Sequence, residues 1–520
     1  MARMTREEQL RDRLLGPPPG QVLLGWLGPL LFTVLGGLIR FWDLGRPRQL
    51  VFDETYYVKG STSILRYGVE MRTPDSIKEP DKLFTTGNLH VFGTEGDMVV
   101  HPEMSKVLGA AGQWLFGSDT GLGWRFSVCL VSTLSILLVG RVTRRLLGSS
   151  VLGTIAAFLT AFEGHHFVQS RTMLVDPFVM VFALSAFACL LIDRDRSRAI
   201  LARKVARYGA GARLGTGPWL GLRPWRLAAG VLLGCCTGCK WSGLYFIAVF
   251  GLMTVLWDMG ARRRVGCANW VQGAVVKDGL LAFVWMVPVA IATYLATWTP
   301  WFLSDRGYHR QWAEQNPGKG VQWLPADLRS LWSYHEDVWD FAYNLTTPHD
   351  YMANPWGWLV QARPTSFFYE GPKRGEDGCT VALCSKAISS VGTLTVWWAG
   401  VLALLVLLYW WAARRDWRAG AILAGVVGGY APWFLYQHRT VFQFYEIAFE
   451  PWVIMAVVYG IGLVLGRRGD SVERRRLGAV LVAVYLLLTL AVFVFFWPVY
   501  TAQVIPQSHW SWRMWFPSWV

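Results

Sequence analysis

The chain has 520 residues, 53% of them hydrophobic and only 16% charged, with a formal net charge of +15 at pH 7. Soluble domains carry about 25% charged residues, so the composition excludes an ordinary soluble protein, and apolar runs of about 20 residues recur along the chain as in a polytopic membrane protein. The positive charge does not point to nucleic acid: the basic residues cluster in short loops between apolar runs, where they orient helices in lipid.

In chain order, residues 1–20 read as a basic cytosolic tail with Arg3, Arg6, Arg11 and Arg13, closing on Pro17-Pro18-Pro19. Residues 21–39 form the first span. No small-residue cleavage site follows it, so it is expected to stay as an anchor. Residues 40–120 make a long outer loop with two amphipathic helices, over 57–67 and 106–116, suited to lying in the interface. Residues 121–299 hold spans two to seven, with arginines after the second (Arg141, Arg144, Arg145) and the sixth (Arg262, Arg263, Arg264). A second outer loop, 300–390, is rich in Trp, Tyr, Pro and His. Residues 391–498 hold spans eight to eleven, with Arg414, Arg415 and Arg418, then Arg467, Arg468 and Arg474, in their inner loops. Residues 499–520 form an outer, Trp-rich tail. The expected fold is an all-α membrane protein of roughly eleven helices, with the N-terminus inside and the C-terminus outside. The 30 Trp suit aromatic belts at the lipid surfaces.

The eight cysteines show no zinc-type spacing. Cys235, Cys236 and Cys239 lie in an apolar run and read as buried thiols. Cys379 and Cys384 lie in the second outer loop, where a disulfide and two free thiols are both open readings.

Ionisable groups at membrane depth are costly and therefore candidates for function. The central stretch is Val51-Phe52-Asp53-Glu54-Thr55-Tyr56-Tyr57, with two adjacent acids just past the first span. Like charges raise each other's pKa unless something compensates. A carboxylate at the membrane surface suits a general base that takes a proton from a hydroxyl; the alternative is an N-terminal helix cap. Other polar residues fall on the same outer side: His101, Lys106, Arg125, Arg171, Asp176, Lys240, His438, Arg439, Glu446 and Glu450. Lys and Arg there suit a lipid phosphate, although Arg171 and Lys240 also fit snorkelling turn residues, and Asp176 a bundle ion pair. His165-His166 beside Glu163 does not have the spacing of a metal motif.

These residues, in this order, resemble the protein O-mannosyltransferases, membrane-embedded glycosyltransferases of the GT-C type that use lipid-phosphate sugars. Phe52-Asp53-Glu54 is similar to the family's acidic motif in the first outer loop, and Arg40-Phe41 to its arginine at the end of the first span. His101-Pro102 followed by Lys106 is similar to its His-Pro-Pro…Lys stretch, with Glu103 in place of the second proline. Arg125, Ser170-Arg171-Thr172-Met173 with Asp176, and Gly238-Cys239-Lys240-Trp241-Ser242-Gly243 complete the set. The 300–390 loop is too short for the β-trefoil domain of the eukaryotic members, so the resemblance is to a bacterial one.

The resemblance implies transfer of mannose from polyprenyl-phosphate-mannose to Ser or Thr of exported proteins, with inversion at the sugar carbon and with neither cofactor nor metal. Asp53 and Glu54 would make up the catalytic pair, Asp53 as the base and Glu54 positioning substrate or supporting Asp53. Arg40, Arg125, Lys240, Arg439, His101 and Lys106 would bind the donor phosphate, with Arg40 alternatively holding the acidic pair. Arg171 and Asp176 would support the site. Expected partners are the lipid-linked donor, secreted acceptor proteins, membrane lipid and protein-export machinery, at the outer face of a bacterial plasma membrane. The competing enzyme reading keeps the donor and changes the acceptor to a cell-wall glycan or a lipid. A transporter would instead show paired halves with broken helices at midplane, and no such repeat is visible.

Overall fold

The computed structural model describes residues 4–16, 20–209, 211–467 and 469–520. Arg3, Pro17-Pro18-Pro19 and Arg468, placed in inner segments by the sequence reading, lie outside the described residues. Helix α1 (Arg6–Leu15) opens on a capping box in which the Thr5 side chain accepts from the Glu8 amide and Glu8 reaches back to Thr5.

Seven helices are long and apolar enough to cross a membrane. They are α2 (Leu24–Phe41), α5 (Gly121–Leu147), α8 (Asp176–Ala206), α10 (Gly243–Arg264), α11 (Trp270–Thr297), α13 (Leu394–Ala412) and α16 (Val472–Tyr500). Four shorter helices occupy the other expected span positions: α6 (Ser150–Ala161), α9 (Pro224–Cys239), α14 (Trp417–Tyr430) and α15 (Glu450–Leu465). Leu27, Leu31, Val34 and Leu38 on α2, and Leu477, Val480, Val484 and Leu487 on α16, stand exposed, an apolar surface that only lipid would cover. Helix α15 is buried on nearly every side and packs against α6, α13, α14 and α16. Helices α5 and α6 approach so closely that a Cβ on Gly153 would meet the Gly140 carbonyl oxygen at 2.7 Å, a small-residue contact typical of membrane helices.

Ion pairing fastens one end of the bundle. Arg223 donates to Asp193 at 2.5 Å and to Asp258 at 2.9 Å, Arg226 pairs with both acids, and Arg262 pairs with Asp278 at 2.6 Å. All six are buried, and each carboxylate compensates a guanidinium that lipid could not solvate. The sequence reading leaves these pairs unassigned.

The opposite end carries the two long loops. The first holds α3 (Glu54–Tyr67), ended by Gly68 at φ 77°, a left-handed conformation suited to glycine, and α4 (Met104–Phe116). The second holds α12 (Ala326–Asn344) and a small sheet that the helical reading did not include. Strands β1 (Ser366–Glu370) and β2 (Cys384–Ser389) pair antiparallel, and β3 (Ile505–Pro506) of the C-terminal tail adds to β2. Cys379 and Cys384 are joined by a disulfide. The tail lies on this loop: Arg363 donates to the Ser518 carbonyl at 2.6 Å and Trp519 Nε1 to the Gln361 carbonyl at 2.8 Å.

Candidate active site

Phe52 sets the geometry of the acidic pair. Its φ of 51° is strained for a residue with a side chain. Its ring is held in a nest of aromatics, stacked on Phe367 with centroids 5.0 Å apart and edge-on to Phe444 at 5.4 Å. The turn sends the two neighbouring carboxylates in different directions.

Glu54 points inward and is saturated. Arg125 donates Nε to Oε1 and Nη2 to Oε2, both at 2.8 Å, a bidentate pair. The Val51 and Met173 amides donate to the same carboxylate at 3.0 and 2.9 Å. Arg125 spends its other donors on the carbonyls of Leu44, Pro47 and Gln49. The pair is buried and ties the 44–54 segment to the start of α5 and to the chain entering α8. Both Glu54 oxygens are thus engaged within the protein, and Arg125 has no donor left for a phosphate.

Asp53 occupies the N-cap position of α3, yet its side chain makes no capping hydrogen bond. Among the described residues the carboxylate has no hydrogen-bond or ion-pair partner, and the charges acting on it are Lys240 and Asp176. Burial pushes the Asp53 carboxyl up to about 6; Lys240 pulls it down and Asp176 pushes it up.

Lys240 ends α9 in extended backbone. Its Nζ donates to Asp176 Oδ1 at 2.8 Å and lies 3.6 Å from the centroid of the Tyr445 ring. It lines a cavity of 210 Å³ together with His101, Trp241, Trp433, Tyr436 and Arg439. Arg439 reaches this cavity with Nε buried and without a hydrogen-bond partner among the described residues. An unpaired buried donor on a cation is expensive unless an anion completes it. The His101 ring is stacked with Tyr57, centroids 6.1 Å apart. Burial, reinforced by Lys240, Lys106 and Arg439, pushes its pKa well below the usual histidine value, so it lines the cavity as a neutral ring.

Three expected phosphate ligands lie elsewhere. Arg40 is buried and donates to the carbonyls of Gly36, Ala161 and Thr160, with Nδ1 of His166, on the short helix α7 (Gly164–Gln169), at 3.0 Å. It joins the ends of α2 and α6 and does not touch the acidic pair. Lys106 is buried against Glu70 and donates to the His101 carbonyl at 2.8 Å. It compensates a group of acids: burial and Glu70 push Glu103 up to about 8, and Glu103 accepts from the Trp301 amide. Arg125 is held by Glu54 as described. In each case the reason is the same: a buried cation turns most of its donors to the nearest carbonyls and carboxylates, although the Arg40 Nε has no hydrogen-bond partner among the described residues. Arg171 donates to the carbonyls of Arg40 and Trp42 at 2.6 Å and of Asp43 at 3.1 Å, closing the C-terminus of α2. Glu446 is buried and accepts from Gln361 at 2.8 Å, and Glu450 is buried as well; His438 is exposed.

The aromatic walls Tyr245 and Trp433, and Tyr445 beside Lys240, escaped the sequence reading. The clustered aromatics of residues 433–445 were the available signal, but interface belts look the same in sequence.

The chain matches the family model described as dolichyl-phosphate-mannose-protein mannosyltransferase over residues 30–303, and that of the C-terminal four TMM region of protein-O-mannosyltransferase over 327–519. It is 35% identical over 514 residues to a polyprenol-phosphate-mannose–protein mannosyltransferase of Mycolicibacterium smegmatis, covering 95% of this chain and 93% of that protein. A protein of the same description from Corynebacterium glutamicum is 31% identical, covering 94% and 91%. Among solved structures, the Saccharomyces cerevisiae protein O-mannosyltransferase Pmt1-Pmt2 complex bound to the sugar donor shares the fold with a TM-score of 0.70 at 14% identity, covering 98% of this chain and 94% of that one. With its fold, its ordered motifs and these relatives in agreement, the chain belongs to the dolichyl-phosphate-mannose–protein mannosyltransferase family.

Proposed function

We propose that the protein transfers mannose from polyprenyl-phosphate-mannose to Ser and Thr hydroxyls of exported proteins, with inversion, at the extracytoplasmic face of a bacterial plasma membrane. Its eleven crossings would put residues 40–120 and 300–390 outside and the arginine-rich loops inside. The observation that carries this reading is the pairing of an unengaged carboxylate, Asp53, with a cavity where Lys240 and the unpaired Arg439 meet.

In the proposed step the acceptor hydroxyl gives its proton to the Asp53 carboxylate as its oxygen bonds to the sugar C1. The C1–O bond to phosphate breaks on the opposite face, and polyprenyl phosphate leaves with the bonding electrons. Lys240 and Arg439 face that growing negative charge in a site of low dielectric, where fixed cations act strongly. Lys240 is held in place by Asp176, and Arg439 has its guanidinium free for phosphate oxygens.

The reading is tested with purified protein, radiolabelled donor, and a Ser/Thr peptide offered beside a cell-wall glycan. Label is expected on the peptide, released by alkali; label on the glycan alone would overturn the acceptor assignment. In the same assay Arg439→Gln is expected to raise the donor KM by roughly 10–100-fold, the loss of one charged hydrogen-bonding group. An unchanged KM would remove Arg439 from the phosphate site.

The raised Asp53 pKa gives a pH prediction. The base must be ionised to accept a proton, so kcat/KM is expected to fall as pH drops through about 6. A profile measured between pH 4 and pH 8 checks it; an acid limb near the ordinary Asp value of about 4 would mean that burial does not govern this group.

A further inference from the structure

The arginine-rich end of the bundle contains a cavity of 720 Å³ between α1, α5, α8 and the start of α14. Arg125 and Arg144 lie on the same helix, α5, about 28 Å apart at 1.5 Å per residue, close to the hydrocarbon thickness of about 30 Å. The cavity therefore sits at the lipid surface opposite Asp53 and takes no part in the site described above.

Its walls are of two kinds. Leu138, Val142 and Leu146 of α5, with Leu191 of α8, form an apolar slot running into the bundle. At the mouth stand six arginines, Arg11, Arg141, Arg144, Arg145, Arg194 and Arg418, against three carboxylates, Glu8, Asp12 and Asp195. One carboxylate is already shared: Asp195 pairs with both Arg145 and Arg194 at 2.9 Å. Arg194 is buried, lies 3.2 Å over the Trp417 ring, and has its Nε without a hydrogen-bond partner among the described residues. Arg11 makes no hydrogen bond or ion pair among the described residues. The cationic excess thus meets an apolar slot at membrane-surface depth.

We propose that this cavity is a binding site for an anionic phospholipid, with the phosphate among Arg11, Arg145 and Arg194 and an acyl chain along Leu138 and Val142. The two wall types decide between sources of phosphate. A free phosphate would satisfy the arginines and leave the slot unfilled, whereas a lipid fills both. A zwitterionic lipid would fill the slot and bring an ammonium to the arginines.

The test is thermal unfolding of the full-length protein in detergent, titrated with phosphatidylglycerol, phosphatidylcholine or inorganic phosphate. A ligand that binds the folded state raises Tm in a saturable way. Phosphatidylglycerol is expected to raise Tm, and the other two to leave it unchanged. The double variant Arg11→Gln/Arg145→Gln, altered at the outer rim, is expected to need about tenfold more lipid for the same shift, since each 1.4 kcal/mol of lost binding is tenfold. Leu138→Trp fills the slot, leaves every arginine in place, and is expected to abolish the shift. An equal shift with phosphatidylcholine would reduce the site to a greasy contact, and an equal shift with inorganic phosphate to a free-anion site. Either result, or an undiminished response in both variants, would overturn the proposal.

Discussion

Replacing Asp53 with Asn is expected to lower mannosyl transfer by about 10²–10⁴-fold, the usual contribution of a positioned general base, while the protein stays folded and membrane-inserted. The structural reason is that Asp53 supports nothing else. Its carboxylate forms no cap on α3 and no ion pair among the described residues, so the amide leaves no partner stranded. The loss should appear in kcat, with the donor KM nearly unchanged, because the proposed phosphate contacts are those of Lys240 and Arg439. The measurement is radiolabel transfer from polyprenyl-phosphate-mannose to a Ser/Thr peptide, alongside the apparent Tm of the variant. Transfer within tenfold of the unmodified protein, with Tm preserved, would take the base role away from Asp53.

The neighbouring acid should behave in the opposite way. Arg125→Met is expected to destabilise the protein by about 3–5 kcal/mol, the cost of leaving one partner of a buried ion pair uncompensated. It strands the Glu54 carboxylate and removes the donor that the Leu44, Pro47 and Gln49 carbonyls share. Glu54→Gln is expected to cost a similar amount, about 3–5 kcal/mol, because it leaves the buried Arg125 guanidinium without its counter-charge and turns an NH2 toward two of the four donors on the carboxylate. Thermal unfolding of the two variants decides the matter. A stable Arg125→Met protein whose only defect was a raised donor KM would return Arg125 to the phosphate, as its place in the motif first suggests.

Much of the architecture was legible because lipid imposes a simple rule. A segment that crosses hydrocarbon must satisfy its own backbone, so long apolar runs became helices such as α5 and α16, bounded by arginines. The helices α3 and α4 of the first long loop were legible from amphipathic periodicity. The small sheet was less so: β3 has two residues and exists only because the tail returns to β2. The ion-paired end was also hidden, since Asp193, Arg223, Arg226, Asp258, Asp278 and Arg262 are scattered over several segments and look like loop charges.

The site divides along the same line. The sequence by itself determined a polytopic, arginine-bounded helical bundle, an acidic pair beyond the first span, and a short ordered list of cations near one face, because these follow from residue type, run length and order. Only the tertiary structure decided which members of that list are available. Arg40, Arg125 and Lys106 read like Lys240 and Arg439 in one dimension, but the first three turn most of their donors to carbonyls and acids away from the cavity, whereas Lys240, held by Asp176, and Arg439 line the same cavity. The same holds for Asp53 and Glu54, adjacent in the chain and separated in role by one strained turn at Phe52. Charge is a property of the residue, whereas an unfilled hydrogen bond is a property of everything packed around it.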